Sequence, residues 1–155
     1  MRESLGGAML LNLVVIFSGI VIAFFIGILS YSKAYRVKNR IIEIIEKYEV
    51  YDENVANELN PDLNNAGYNT SNPTKCEAIR SDLVNADNGR YEDAKLLANS
   101  NTYGYDYCVF ESKNSDNGNY YVVVTFVRFE FPVIGDVLTF PVYGETKILN
   151  KSYDY

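Results

Sequence analysis

Among its 155 residues this chain has no histidine. That removes the side chain that most often moves protons near neutral pH. It also lacks a Gly-x-Ser-x-Gly elbow, a Walker loop, a glycine-rich dinucleotide fingerprint and any Cys-x-x-Cys pair. Its 20 Asp and Glu residues are scattered as on a solvated surface. NADNGR (85–90) and NSDNGN (114–119) lack the ligand spacing of a calcium loop and read as turns. The expectation is a protein that is not an enzyme, with no catalytic residue, no cofactor, no metal and no small-molecule substrate. Positive charge is scarce as well. With 14 Lys and Arg the net charge is −6, the wrong sign for binding nucleic acid.

Cysteine is nearly absent too. Cys76 and Cys108 are the two in the chain, and neither lies in its long apolar run. Outside the cytoplasm such a pair reads as a disulfide; otherwise the two are separate buried thiols.

That apolar run is the dominant feature present. Ala8 to Tyr31 is 24 residues without a charge, and fifteen of them are Leu, Ile, Phe or Val. As a helix it spans roughly 36 Å, more than the ~30 Å hydrocarbon core of a bilayer. Those fifteen side chains favour insertion by about 5 to 9 kcal/mol before Asn12, the glycines and the serines take some back. The run is too long for a secretory signal and has no small-x-small cleavage site after it. It therefore reads as a membrane span kept in the mature protein.

Helical character continues past the span. In YSKAYRVKNRIIEIIEKYE, Val37, Ile41, Ile44, Ile45 and Tyr48 recur at helical spacing, and Lys38, Glu43, Glu46 and Lys47 mostly take other faces. One helix from about Gly7 to Glu49 is predicted. Wound at 100° per residue, Ala8, Asn12, Gly19, Ala23, Gly27, Ser30 and Ala34 share one face. This stripe of small residues, with Gly19-xxx-Ala23-xxx-Gly27 at its centre, reads as a helix-packing surface in lipid.

The outer part divides in two. In residues 51–103, rich in Asn, Asn60-Pro61 reads as the cap of a short helix that Gly67 ends. Another short helix is expected around Tyr91 to Ala98. From Gly104 the period becomes two, and YDYCVFES, YYVVVTFVRFEF and VLTFPVYGETKIL read as strands. NSDNGN and PVIGD reverse the chain between them. Val123, Val127, Phe129 and Phe131 form the expected buried set, with Arg128 and Glu130 turned to water. Pro141 marks an edge strand. The fold class is α+β, a long N-terminal transmembrane helix continuing as an amphipathic stem packed on a three-stranded antiparallel sheet. Its parts are 1–7, the span 8–31, the stem 32–50, the loop-rich 51–103, the sheet 104–150 and a tail 151–155.

Lys33, Arg36, Lys38 and Arg40 follow the span, against Arg2 and Glu3 before it. The positive-inside rule taken alone puts the large domain in the cytoplasm. Long domains translocate despite such charges, and a disulfide needs the outside, so an extracytoplasmic domain is expected.

GGAMLLNLVVIFSGIVIAFFIGILSYSKAYRVKNRIIEIIEKY, within residues 6–50, resembles the N-terminus of type IV pilin-like proteins, most nearly the TadE-like minor pilins of tight-adherence (Flp-type) pili. The resemblance implies a leader ending at Gly7, a mature N-terminus at Ala8, and Asn12 where those proteins commonly carry glutamate. Asn12 keeps a polar group there but not the charge. The resemblance further implies a structural subunit of a pilus-like filament or its assembly complex, in the bacterial cytoplasmic membrane or at the cell surface. Its partners would be the membrane and other helices of its kind. A different class of protein also fits the residues, a single-pass surface binding protein whose helix is only a tether.

Overall fold

A computed structural model describes residues 2–68, 76–86, 91, 93–99, 106–113, 118–130 and 137–149. Helix α1 runs unbroken from Arg2 to Tyr48, 47 residues, about 70 Å at 1.5 Å per residue. No proline interrupts it. It ends where Glu49 turns left-handed at φ 57, a conformation that glycine usually supplies at this place.

Helix α2, Glu53–Asn65, starts at Asp52, whose carboxylate accepts from the Val55 N–H at 3.0 Å. The expected cap at Asn60-Pro61 is thus corrected, because Pro61 lies inside α2. Val55, Ala56, Leu59 and Leu63 form a buried stripe that outweighs the one hydrogen bond Pro61 cannot donate. Gly67, at φ 62, follows the end of α2 as expected. Exposed ion pairs Arg40–Asp62 (2.8 Å) and Lys47–Glu58 (3.0 Å) link α2 to α1. The Tyr48 hydroxyl, then Lys47, holds the Glu58 carboxyl below its usual range.

Helix α3 is Cys76–Ala86, and strands β1 (Lys95–Asn99), β2 (Tyr107–Lys113), β3 (Asn119–Glu130) and β4 (Val137–Glu145) follow. Two expectations fail here. The sheet has four antiparallel strands in the order β1-β2-β3-β4, not three. The segment predicted as a helix around Tyr91 to Ala98 instead supplies β1, whose Lys95 to Asn99 pair with Glu111 to Cys108 across an irregularity between Leu96 and Ala98. KLLAN is a good helix sequence, but the free edge of β2 offers it backbone partners, and tertiary context overrides propensity. The helix lies earlier, where Cys76, Ile79 and Leu83 are buried at helical spacing.

The sheet is covered on both faces. Tyr107, Val109, Tyr121 and Val123 pack with Val37, Ile41, Ile44 and Ile45 of α1 and with Val55, Leu59 and Leu63 of α2. Cys108, Phe110, Tyr120, Val122, Val124 and Phe126 pack with Cys76, Ile79 and Leu83 of α3. This second face explains why YVVVTF is apolar without alternation. Val123 and Val127 are buried and Phe129 half-buried, whereas Phe131 and the PVIGD reversal lie outside the described residues. Arg128 does not simply point to water. It is half-buried and bonds the buried Asp106 at 2.7 Å.

Cys76 and Cys108 form a disulfide with Cα atoms 5.7 Å apart, pinning the start of α3 to β2. β4 is an edge strand, as Pro141 requires. Opposite Pro141, Phe126 uses both backbone groups on the Tyr68 hydroxyl, which donates to its carbonyl and accepts from its N–H, each at 2.9 Å. Tyr68 so continues the ladder past the end of β2. Burial pushes its pKa up from the ordinary 10.0 to about 12. The folded value lies above the unfolded one, so this stabilisation is complete below pH 10 and declines as pH rises toward 12. Tyr68→Phe is expected to lower stability by about 1 to 3 kcal/mol at neutral pH, by leaving buried backbone groups unpaired. It should also flatten the alkaline decline. Urea titrations at neutral and alkaline pH test both effects, and an unchanged alkaline slope would refute the assignment.

Candidate functional site

The lower half of α1 stands bare. Met9, Phe24 and Leu29 are 77%, 70% and 69% exposed, and so are nearly all the large apolar side chains from Met9 to Tyr31. The helix is long and apolar enough to cross a membrane, judged by length and composition. Tyr31 and Tyr35 stack at 6.2 Å where the apolar run meets Lys33 and Arg36. Aromatic rings beside cations are the usual marks of a membrane–water interface.

The structure divides the predicted packing stripe. Ala8, Asn12 and Gly19 are exposed, as is Gly7 at the expected end of the leader; Ala23, Gly27 and Ser30 are half-buried, and Ala34 is fully buried. The half beyond Ala23 is met by the chain's own sheet. A Cβ at Gly27 would lie 2.7 Å from Cε1 of Phe129, so only glycine admits that ring. One level up, the Thr125 hydroxyl donates to the Ala34 carbonyl at 3.1 Å. Higher still, Gly144 lies against Lys38 and Ile42. Strand β3 thus descends antiparallel to α1 and β4 climbs back beside it. Smallness near Gly27 and Ala34 serves a strand, while at Gly19 a Cβ meets nothing within 4 Å. The sequence alone carries no signal that separates these two uses.

Between α1 and α2, Lys33, Arg36, Arg40 and Asp62 line a shallow groove with Val37, Leu63 and Ala66. Lys33 donates to the Gly67 carbonyl and lies 5.8 Å from the centre of the Tyr68 ring. A second hollow beside β4 is lined by Asp82, Leu83, Tyr91, Val122, Tyr143 and Glu145, and there the Tyr91 hydroxyl donates to Glu145. Among the described residues no three His, Cys, Asp or Glu side chains gather to hold a metal. Residues 87–90 and 114–117, which include most of the two Asn/Asp/Gly-rich segments expected as turns, lie outside the described residues.

The surface that sets this molecule apart is therefore its bare apolar rod. No family model, curated protein or solved structure matches the chain. What the rod does must be argued from its own residues.

Proposed function

We propose that this protein is a membrane-anchored structural subunit of pilin-like design, built into a filament or its assembly complex through the lower half of α1, with the outer domain displayed on the far side of the membrane. The observation that carries the reading is the unbroken helix that is bare over its apolar half and clothed by the domain over the rest. Ala8, Asn12 and Gly19 remain open for a neighbouring helix, and the Asn12 amide can hydrogen-bond across such an interface. The disulfide supports an oxidising compartment for the domain.

Gly19→Leu is the informative substitution, because added atoms at that position touch nothing in the monomer. Self-association of the full chain in lipid, read by energy transfer between labelled copies, is expected to weaken about tenfold. The outer domain should keep its stability. Association that survives Gly19→Leu together with Asn12→Leu would remove the reading.

The tether reading draws support from one feature, the capture of Gly27 and Ala34 by the chain's own sheet, which shortens the face left for other helices. Under it, an unrelated span in place of residues 8–26 should leave function intact. Mass spectrometry of the mature N-terminus separates the two, with Ala8 first for a processed subunit and Met1 or Arg2 first for a plain anchor.

A further inference from the structure

We propose that the β3–β4 ribbon makes a second membrane contact, with Phe129, Leu138 and Phe140 seated among lipid headgroups and upper acyl chains beside α1. The proposal rests on α1 being a membrane span. Depth is the first argument. A hydrocarbon layer of ~30 Å takes about 20 helical residues, which from Ala8 reaches Gly27. Gly27 precedes Tyr31 by one turn and Lys33, the first charge after the run, by about 9 Å of helix. Phe129 sits on Gly27, so its ring lies on the lipid side of the Tyr31–Tyr35 pair.

Register brings two more apolar side chains to that level. Phe129 pairs with Leu138 and Val127 with Phe140, and the Phe129 and Phe140 rings meet edge to face at 5.8 Å. α1 meets β4 near Gly144, whereas further down the strand Leu138 and Phe140 stay 50% and 52% exposed. In water these would be an unexplained apolar patch. Beside a span they continue its lipid-facing surface.

Charge agrees with this placement. β4 carries no charged residue from Val137 until Glu145, at its far end. Arg128, the nearest cation on β3, is paired with Asp106. The open edge of β4 limits the depth. Among the described residues no further strand pairs with it, and backbone groups along such an edge need water or headgroup partners, which the interface has and the hydrocarbon centre lacks. Pro141 removes one donor from the strand.

The chain contains no tryptophan, so single-tryptophan variants report without background. Full-length Phe140→Trp, Leu138→Trp and Phe17→Trp are reconstituted in phosphatidylcholine–phosphatidylglycerol vesicles, with the disulfide checked intact. For Phe140→Trp and Leu138→Trp, lipids brominated high in the acyl chain should remove about half the emission, and lipids brominated at the chain ends much less. Phe17→Trp, mid-span, should show the reverse order. Quenching of the two β4 variants by aqueous iodide but not by brominated lipid, with Phe17→Trp lipid-quenched, overturns the proposal and spares the span. Shielding of both variants from iodide and from bromine means that protein covers the patch, and overturns it too. A Phe17→Trp untouched by lipid overturns the span and the proposal together.

Discussion

Replacing Cys76 and Cys108 together with serine is expected to lower the unfolding free energy of the folded domain by roughly 3 to 4 kcal/mol. The bond closes a loop with a sequence separation of 32, and in the chain-entropy model such a loop is worth that amount. Its location makes the loss local. α3 meets the sheet through Cys76, Ile79 and Leu83 alone among its buried residues, a thin contact beside the α1 seam. Without the bond, α3 is expected to leave the second face first and to expose Val122, Val124 and Phe126. Amide hydrogen exchange on the full chain in nanodiscs should show protection lost across α3 while β3 retains it. Unfolding by urea that shifts by less than about 1 kcal/mol would show that the link adds little constraint here. Thiol labelling of the wild-type pair in intact cells tests the compartment, with the double variant as the unlabelled control, since a pair that labels readily contradicts an oxidised domain.

Ile41→Ala is expected to cost about 2 to 5 kcal/mol, by creating a cavity where α1, α2 and the sheet meet. Ile41 is fully buried and belongs to the same cluster as Ile45, Tyr121 and Val123. Ile42, its half-buried neighbour on the helix, is the matched control and should lose distinctly less. The damage should fall on the union of stem and sheet and leave the bare apolar half of α1 untouched. Helicity of the lower half of α1 in lipid is therefore expected to survive while near-ultraviolet signals from the tyrosine-rich core fade. Equal losses at Ile41 and Ile42 would contradict this packing.

The sequence was most legible where one period ran uninterrupted. Fifteen large apolar residues between Ala8 and Tyr31, and the Val37–Ile41–Ile45 recurrence after them, leave a single helix as the only economical structure. The disulfide pair and the edge position of β4 were readable for similar reasons, each following from a residue type with few options. β1 was not legible, because KLLAN prefers a helix when considered alone and becomes a strand only against the edge of β2. The second covered face went unread because α3 lies in a stretch of mixed polarity, CEAIRSDLVNA, and buries only Cys76, Ile79 and Leu83. Most instructive is the stripe of small residues. Glycine and alanine announce close approach without naming the visitor, and near Gly27 the visitor is Phe129 of the same chain.

Contacts between α1 and the sheet extend from Gly27 to Ile45, about 27 Å along the rod. A pull on the exposed domain therefore loads this seam in shear, with many side chains sharing the tension at once. Had the domain hung from Tyr48 alone, the same force would have peeled it away one contact after another. Whatever tugs at the domain's surface pulls almost directly on the bare apolar half of the helix.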